Sequence, residues 1–316
     1  MSEALVQLPT FARLSDRVWR VLGLNPGKFT LQGTNTYLLG TGHRKLLLDC
    51  GEGIPEYVDL LQTSLQTIAP QAYISDIIIS HGHQDHWGGL ASILSSAFFK
   101  HKGIRVHKFP MDIHTPCSHT TTFSSSTKDH MARFPKDIQV HALADQQLFE
   151  TDGVTLQAIH TPGHTQDHCT FWLKEEQALF TADCVLGQGT AVFEDLSQYL
   201  AGLKKLVSMG PQRLYPGHGP VIEDGRAKIV EYITHREQRE QQILDFLRQP
   251  PSAAKDFSPL EIVQVLYKNY PTSLHLPAAH SVVLHLLKLE KDGKAAWDRS
   301  DAAAQPDLVQ SRWHRL

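Results

Sequence analysis

The chain has 316 residues, 41% of them hydrophobic and 20% charged, which is enough for one substantial core and a smaller accessory unit. A net charge of −3 leaves no basic footprint for nucleic acid, and no run approaches the roughly 18 uninterrupted apolar residues of a membrane span. The four cysteines form no Cys-x-x-Cys pair and read as free thiols, and the first nine residues show no charged, apolar or Arg-rich leader pattern, so a cytoplasmic protein is expected.

Short apolar or alternating runs open the chain. Residues 18–22, 35–39 and 45–49 are punctuated by Gly33, Gly40, Gly42 and Gly51, which predicts successive strands of a meander. Residues 55–67 then carry Tyr57, Leu60, Leu61 and Leu65 at helical spacing. The apolar run Ile77-Ile78-Ile79 predicts a buried strand leading into a loop.

That loop is the most informative segment. Residues 81–86 read His-Gly-His-Gln-Asp-His, four potential metal ligands in six positions. Imidazoles and carboxylates packed so closely are costly to desolvate unless a cation gathers them. His81 and His83 are two apart, so in extended chain they point the same way, while a turn can swing Asp85 and His86 toward a neighbouring point. One loop could serve two adjacent ions. Residues 89–99 predict a helix whose start would face the ligands. Residues 111–137 then break the rhythm: they are rich in Ser and Thr, lack apolar periodicity, and predict an active-site cover or a surface loop. His114, His119 and His130 in this stretch are not taken as ligands.

Three further segments repeat one pattern, an apolar strand ending in a turn with a candidate ligand. Residues 156–159 lead to His164, residues 178–181 to Asp183 and residues 213–215 to His218, with Gly163 and Gly217 shaping two of the turns. Together with His81, His83, Asp85 and His86 they make seven candidate ligands. Cys184 beside Asp183 is read as packing.

From Glu223 the chain turns helical. Residues 226–248 predict one long helix covering the catalytic domain at both ends, and Pro250-Pro251-Ser252 predicts a linker. Ser258, Pro259 and Glu261 form a capping-box pattern, and residues 282–289 predict another helix before a turn at 291–294. Residues 258–316 hold seven Lys/Arg against six acids, far from a phosphate-tracking stripe. A catalytic domain at 1–222 and a helical C-terminal region at 223–316 are therefore expected.

The His-x-His-x-Asp-His loop followed by separate His, Asp and His ligands resembles the metallo-β-lactamase superfamily, over residues 18–221. The resemblance implies an α/β fold, the αβ/βα sandwich, with a winged-helix-like C-terminal module. It implies two divalent ions, zinc first and manganese as an alternative: one held by His81, His83 and His164, the other by Asp85, His86 and His218, with Asp183 bridging. By the same likeness Asp85 accepts and returns the proton of a bridging water, and Asp49 orients a metal-bound histidine from behind.

An aspartate at 183, where β-lactam-hydrolysing members usually place cysteine, points to the glyoxalase-II-like branch. Residues 25–37, 160–168 and 186–196 look like fungal thioesterases that partner non-reducing polyketide synthases, and like animal mitochondrial lactamase-like endoribonucleases. The first likeness implies release of an aromatic polyketide from an acyl carrier protein, by hydrolysis or ring closure; the second implies cleavage of single-stranded RNA. One departure stands out: the tryptophan usual between the first two ligands is Gly82.

Overall fold

A computed structural model describes residues 4–111, 127–250, 254–269, 271–297 and 308–316. Cys117, His114, His119 and most of the unusual 111–137 stretch lie outside the described residues.

Seven strands follow one another across the first sheet: β1 (Phe11–Arg13), β2 (Val18–Leu22), β3 (Asn35–Leu39), β4 (Arg44–Leu48), β5 (Tyr73–Ile79), β6 (Arg105–Lys108) and β7 (Val140–Ala142). The first four are antiparallel neighbours, as in a meander; from β4 to β7 the pairing is parallel. The second sheet contains β8 (Leu148–Thr151), β9 (Val154–His160), β10 (Cys169–Leu173), β11 (Ala178–Ala182) and β12 (Arg213–Pro216), antiparallel except for the β11–β12 pair.

The inner strands are buried on both faces, and alternation sorts their side chains between two layers. Tyr37, Leu39, Leu46, Leu48 and Ile78 of the first sheet meet Phe171, Phe180 and Tyr215 of the second in one core. The intervening residues Leu38, Leu47 and Ile77 point outward, onto α1 (Pro55–Ile68), the single turn α2 (Gln84–Trp87) and α3 (Leu90–Ser95). A short helix α4 (Thr127–Ala132) follows. The second sheet is covered by α5 (Leu196–Ser208) and the first half of α6 (Gly225–Arg248).

The C-terminal part has its own core. Ile243, Leu244, Phe246 and Leu247 from the end of α6 pack with α7 (Pro259–Leu266), α8 (His275–Lys291) and the antiparallel pair β13 (Ala295–Trp297) and β14 (Trp313–Arg315). The expected αβ/βα sandwich with a winged-helix module is therefore the observed fold, and the expected capping box at Ser258 and Glu261 is formed.

Three element expectations change. The predicted helix over 89–99 closes at Ser95, because the Ser96 side chain bonds back to the Ile93 carbonyl and its backbone turns extended. The helix end that meets the ligand loop is instead α2, which carries Asp85 and His86 itself. Helix α6 packs only its first half on the catalytic sheets, its last turns belonging to the C-terminal core. Helix α8 starts earlier than residue 282, since Pro277 sits in its first turn, where a missing N–H costs nothing.

Candidate metal centre

The C-terminal ends of β4, β5, β9, β11 and β12 open onto one edge of the sandwich, and the seven candidate ligands come together there. They fall into two groups, His81, His83, His164 and Asp183 in one and Asp85, His86 and His218 in the other.

In the first group His81 Nε2, His83 Nδ1 and His164 Nε2 stand 3.0, 3.0 and 3.2 Å from one another. The His164 Nδ1–H donates to the Val192 carbonyl at 2.8 Å, so its Nε2 turns a lone pair inward. Burial and the neighbouring imidazoles hold His81 well below its ordinary value and push His83 down to about 3, so these rings are neutral. Three lone pairs aimed at one point satisfy a cation and little else. Tetrahedral zinc with bonds of about 2.0–2.1 Å spaces its nitrogens about 3.3 Å apart, close to what is found.

The second group is richer in charge. Asp85 Oδ2 lies 3.2 Å from His86 Nε2 and 3.3 Å from His218 Nε2, and Asp183 Oδ1 lies 3.3 Å from both nitrogens. The other Asp183 oxygen faces the first group, 3.7 Å from His164 Nε2 and 4.0 Å from His81 Nε2. One carboxylate thus spans both groups. Burial works against charging His86 and His218, but Asp85 and Asp183 outweigh it, raising His86 well above its ordinary value and pushing His218 up to about 10. Despite burial, His86 and His218 in turn hold both carboxyls well below the usual carboxylate range. Buried His86 Nε2 and Asp183 Oδ1 make no hydrogen bond, as befits atoms kept for an ion.

The scaffold behind the ligands is specific. Asp49, at φ +57°, turns the chain off the end of β4 so that its carboxylate accepts from Ser80 N at 2.8 Å, Ser80 Oγ at 2.8 Å and His86 Nδ1 at 2.8 Å. Asn35 clips the two sheets together at the site, its Nδ2 donating to the Pro216 and Gly219 carbonyls on either side of His218. Gly163 has φ +134° and a Cβ there would stand 2.3 Å from the Tyr199 backbone nitrogen. At Gly217 a Cβ would stand 2.5 Å from Asp183 Oδ1, so glycine makes room for the spanning carboxylate. A buried ion pair between Lys108 and Asp167 anchors the turn after His164. Cys184 packs in the apolar cluster under α5, as expected.

Gly82 has a structural reason. A Cβ at this position would lie 2.6 Å from Thr127 Cγ2 and 3.1 Å from Met131 Cγ, so the glycine lets α4 close onto the ligand loop. His130 on α4 accepts the Gln84 N–H through Nδ1 at 2.9 Å, and Thr127 donates to Glu194 at 2.6 Å. Sequence reasoning missed these contacts, along with the buried His168, whose ring stands 5.2 Å from that of His81. No periodicity marks out residues 127–132, and the partners are far apart in the chain.

The C-terminal region reaches the centre through one loop. Arg236 of α6, itself buried, donates to the Ala191 carbonyl at 2.8 Å and lies 4.9 Å over the Phe193 ring, flanking the Val192 carbonyl that orients His164. Lys291 of α8 pairs with Asp195 at 2.8 Å.

Two clusters of His and Asp joined by a carboxylate, at strand ends of an αβ/βα sandwich, define a metal-dependent hydrolase. The chain belongs to the metallo-beta-lactamase superfamily, whose family model matches residues 29–218, and the beta-lactamase associated winged helix domain matches residues 258–303. It is similar to a beta-lactamase-like protein 2 homolog of Drosophila melanogaster, 44% identical over 93% of this chain and 94% of the relative. It is also similar to an atrochrysone carboxyl ACP thioesterase of Aspergillus chevalieri, 38% identical over 98% of this chain and 92% of the relative. A beta-lactamase domain protein from Burkholderia ambifaria shares the fold, with a TM-score of 0.77 at 18% identity over 98% of this chain and 95% of that one.

Proposed function

We propose that this protein is a binuclear, metal-dependent thioesterase that releases an aromatic polyketide from the acyl carrier protein of a non-reducing polyketide synthase, in the cytoplasm. The observation that carries the reading is the match to an ACP thioesterase along 98% of the chain, winged helix included. In this reading His81, His83 and His164 hold one zinc ion, Asp85, His86 and His218 the other, and Asp183 both. Residues 1–222 form the catalytic domain and residues 223–316 the appended region.

The ions supply a water acidified to near-neutral pKa and a positive field for a carbonyl oxygen. The water oxygen adds to the thioester carbon, the carbon–sulfur bond breaks, and an acid and a thiol result. Asp85 accepts the water's proton and returns it to the departing sulfur. Thr127 and His130 on α4 wall the space beside His83, the hydroxyl of one and the ring of the other lying against that imidazole.

A second reading, a single-strand endoribonuclease with the same side chains, draws on the likeness to animal lactamase-like proteins. The charges of the C-terminal module speak against it: Lys288 pairs with Glu240 at 2.7 Å, Lys291 with Asp195 and Arg312 with Glu261 at 2.6 Å, which leaves these cations neutralised rather than offered to phosphates. Incubating the purified protein with an aromatic acyl thioester of a carrier protein and with a short single-stranded RNA, each with and without chelator, tests the choice. Chelator-sensitive release of the acyl group with intact RNA is expected. RNA cleavage without thioester cleavage would replace the first reading with the second.

A further inference from the structure

Asp85 is gripped from outside the ligand set. The Thr34 hydroxyl donates to Asp85 Oδ2 at 2.9 Å, and Thr34 is fully buried. The direction of that bond is fixed by Asn25, also buried. The Thr34 backbone N–H can only donate, and it does so to Asn25 Oδ1 at 2.9 Å. The amide NH₂ of Asn25 must then face the other way, where it donates to Thr34 Oγ1 at 3.1 Å and to Glu52 Oε2 at 3.1 Å. With its oxygen already accepting, the hydroxyl proton of Thr34 has the Asp85 carboxylate as its acceptor. The Asn25 backbone is tied down in turn, its carbonyl accepting from Thr30 Oγ1 at 2.6 Å.

We propose that Thr34, oriented by Asn25, is a positioning residue that holds the Asp85 carboxylate toward the second ion and toward the attacking water. Asp85 sits on a four-residue turn of helix and 17% of its side chain is solvent-exposed, so packing alone leaves its carboxylate room to rotate. The Thr34 bond removes that freedom. Thr34 is also bridged to His218 across the sheets, so one residue places two members of the second group and none of the first. The inference rests on Asp85 being a ligand and proton acceptor, as in the proposed function.

The test is a zinc titration by chelator competition on the full chain, read together with kcat and KM on an acyl-carrier thioester. Thr34→Val keeps the shape and removes the donor. It is expected to weaken the second zinc about 10- to 100-fold, leave the first nearly unchanged, and lower kcat with little change in KM. Thr34→Ser restores the donor and is expected to recover most of the loss. Asn25→Asp offers the Thr34 hydroxyl a competing acceptor in place of an amide donor, and should weaken the same ion. It decides the matter should Thr34→Val fail to fold. Two-zinc binding and kcat at wild-type levels in folded Thr34→Val, or in Asn25→Asp, would overturn the inference, as would a folded Thr34→Ser no better than Thr34→Val. Asp85→Asn in the same titration keeps the two ideas apart. If that variant retains the second zinc, the role given to Asp85 fails; if it loses the ion while Thr34→Val keeps it, only the role of Thr34 fails.

Discussion

In the first metal group three imidazoles converge on one point, whereas in the second two imidazoles share theirs with the carboxylates of Asp85 and Asp183. Burial keeps His81 and His83 unprotonated, so these two rings meet a cation as they stand. The second group carries its own countercharge: without an ion, the carboxylates draw protons onto His86 and His218. An ion entering there must displace them. The two groups, about equal in ligand number, thus differ in how they are held ready.

Substitutions at the ligands give the largest effect and separate the groups most sharply. Asp183→Ala removes the carboxylate common to both and is expected to abolish turnover and lower occupancy of both ions, whereas His83→Ala abolishes turnover while emptying mainly the first. Both proteins should remain folded by circular dichroism. Retention of most activity by either would break the assignment.

Acidity should divide the groups next. The raised values of His86 and His218 mean that both are protonated below them, so binding at the second group releases protons and strengthens as pH rises toward about 10. With two protons displaced, affinity should fall by up to about 100-fold for each unit the pH is lowered through neutrality. His81 and His83, both held low, have no protons to release in that range, so the first group should show the shallower slope between roughly pH 5 and 8. Zinc titrations across that range check both slopes; parallel slopes would erase the distinction.

Smaller effects come from residues behind the ligands. Asp49→Asn leaves His86 without its carboxylate partner and is expected to weaken the second ion about 10- to 100-fold. Arg236→Ala loosens the loop that carries Val192 and acts on the first group instead. The loss of about one hydrogen bond, roughly 1 kcal/mol, should weaken the first zinc about fivefold. Competition titrations on the two variants should show opposite group preferences.

The contrast between groups also follows what the sequence makes readable. His81, His83, Asp85 and His86 stand within six residues after an apolar strand, so local spacing alone announces them. His164, Asp183 and His218 each follow an apolar strand, a pattern that recurs because strand ends are where a sandwich can aim side chains at one edge. What spacing does not carry is the support. Thr34 meets Asp85 across 51 positions at the end of the first sheet and Asn35 meets Gly219 across 184 between the two sheets, contacts set by strand order and sheet stacking rather than by any period. The closure of α4 over Gly82 is equally hidden, since nothing in the ligand motif shows that a neighbouring helix needs the space beside that glycine. Helix lengths failed for local reasons: serine side chains ended α3 early, and a proline tolerated in the first turn let α8 begin sooner.

In the proposed function, two ions held by these seven side chains make the reaction possible. Elemental analysis of the purified, active protein, run beside its thioesterase activity before chelation, after chelation and after adding zinc back, tests it most directly. Two ions per chain are expected, with activity lost when they are stripped and regained with the second zinc equivalent. Full activity in protein shown to be free of metal would contradict it.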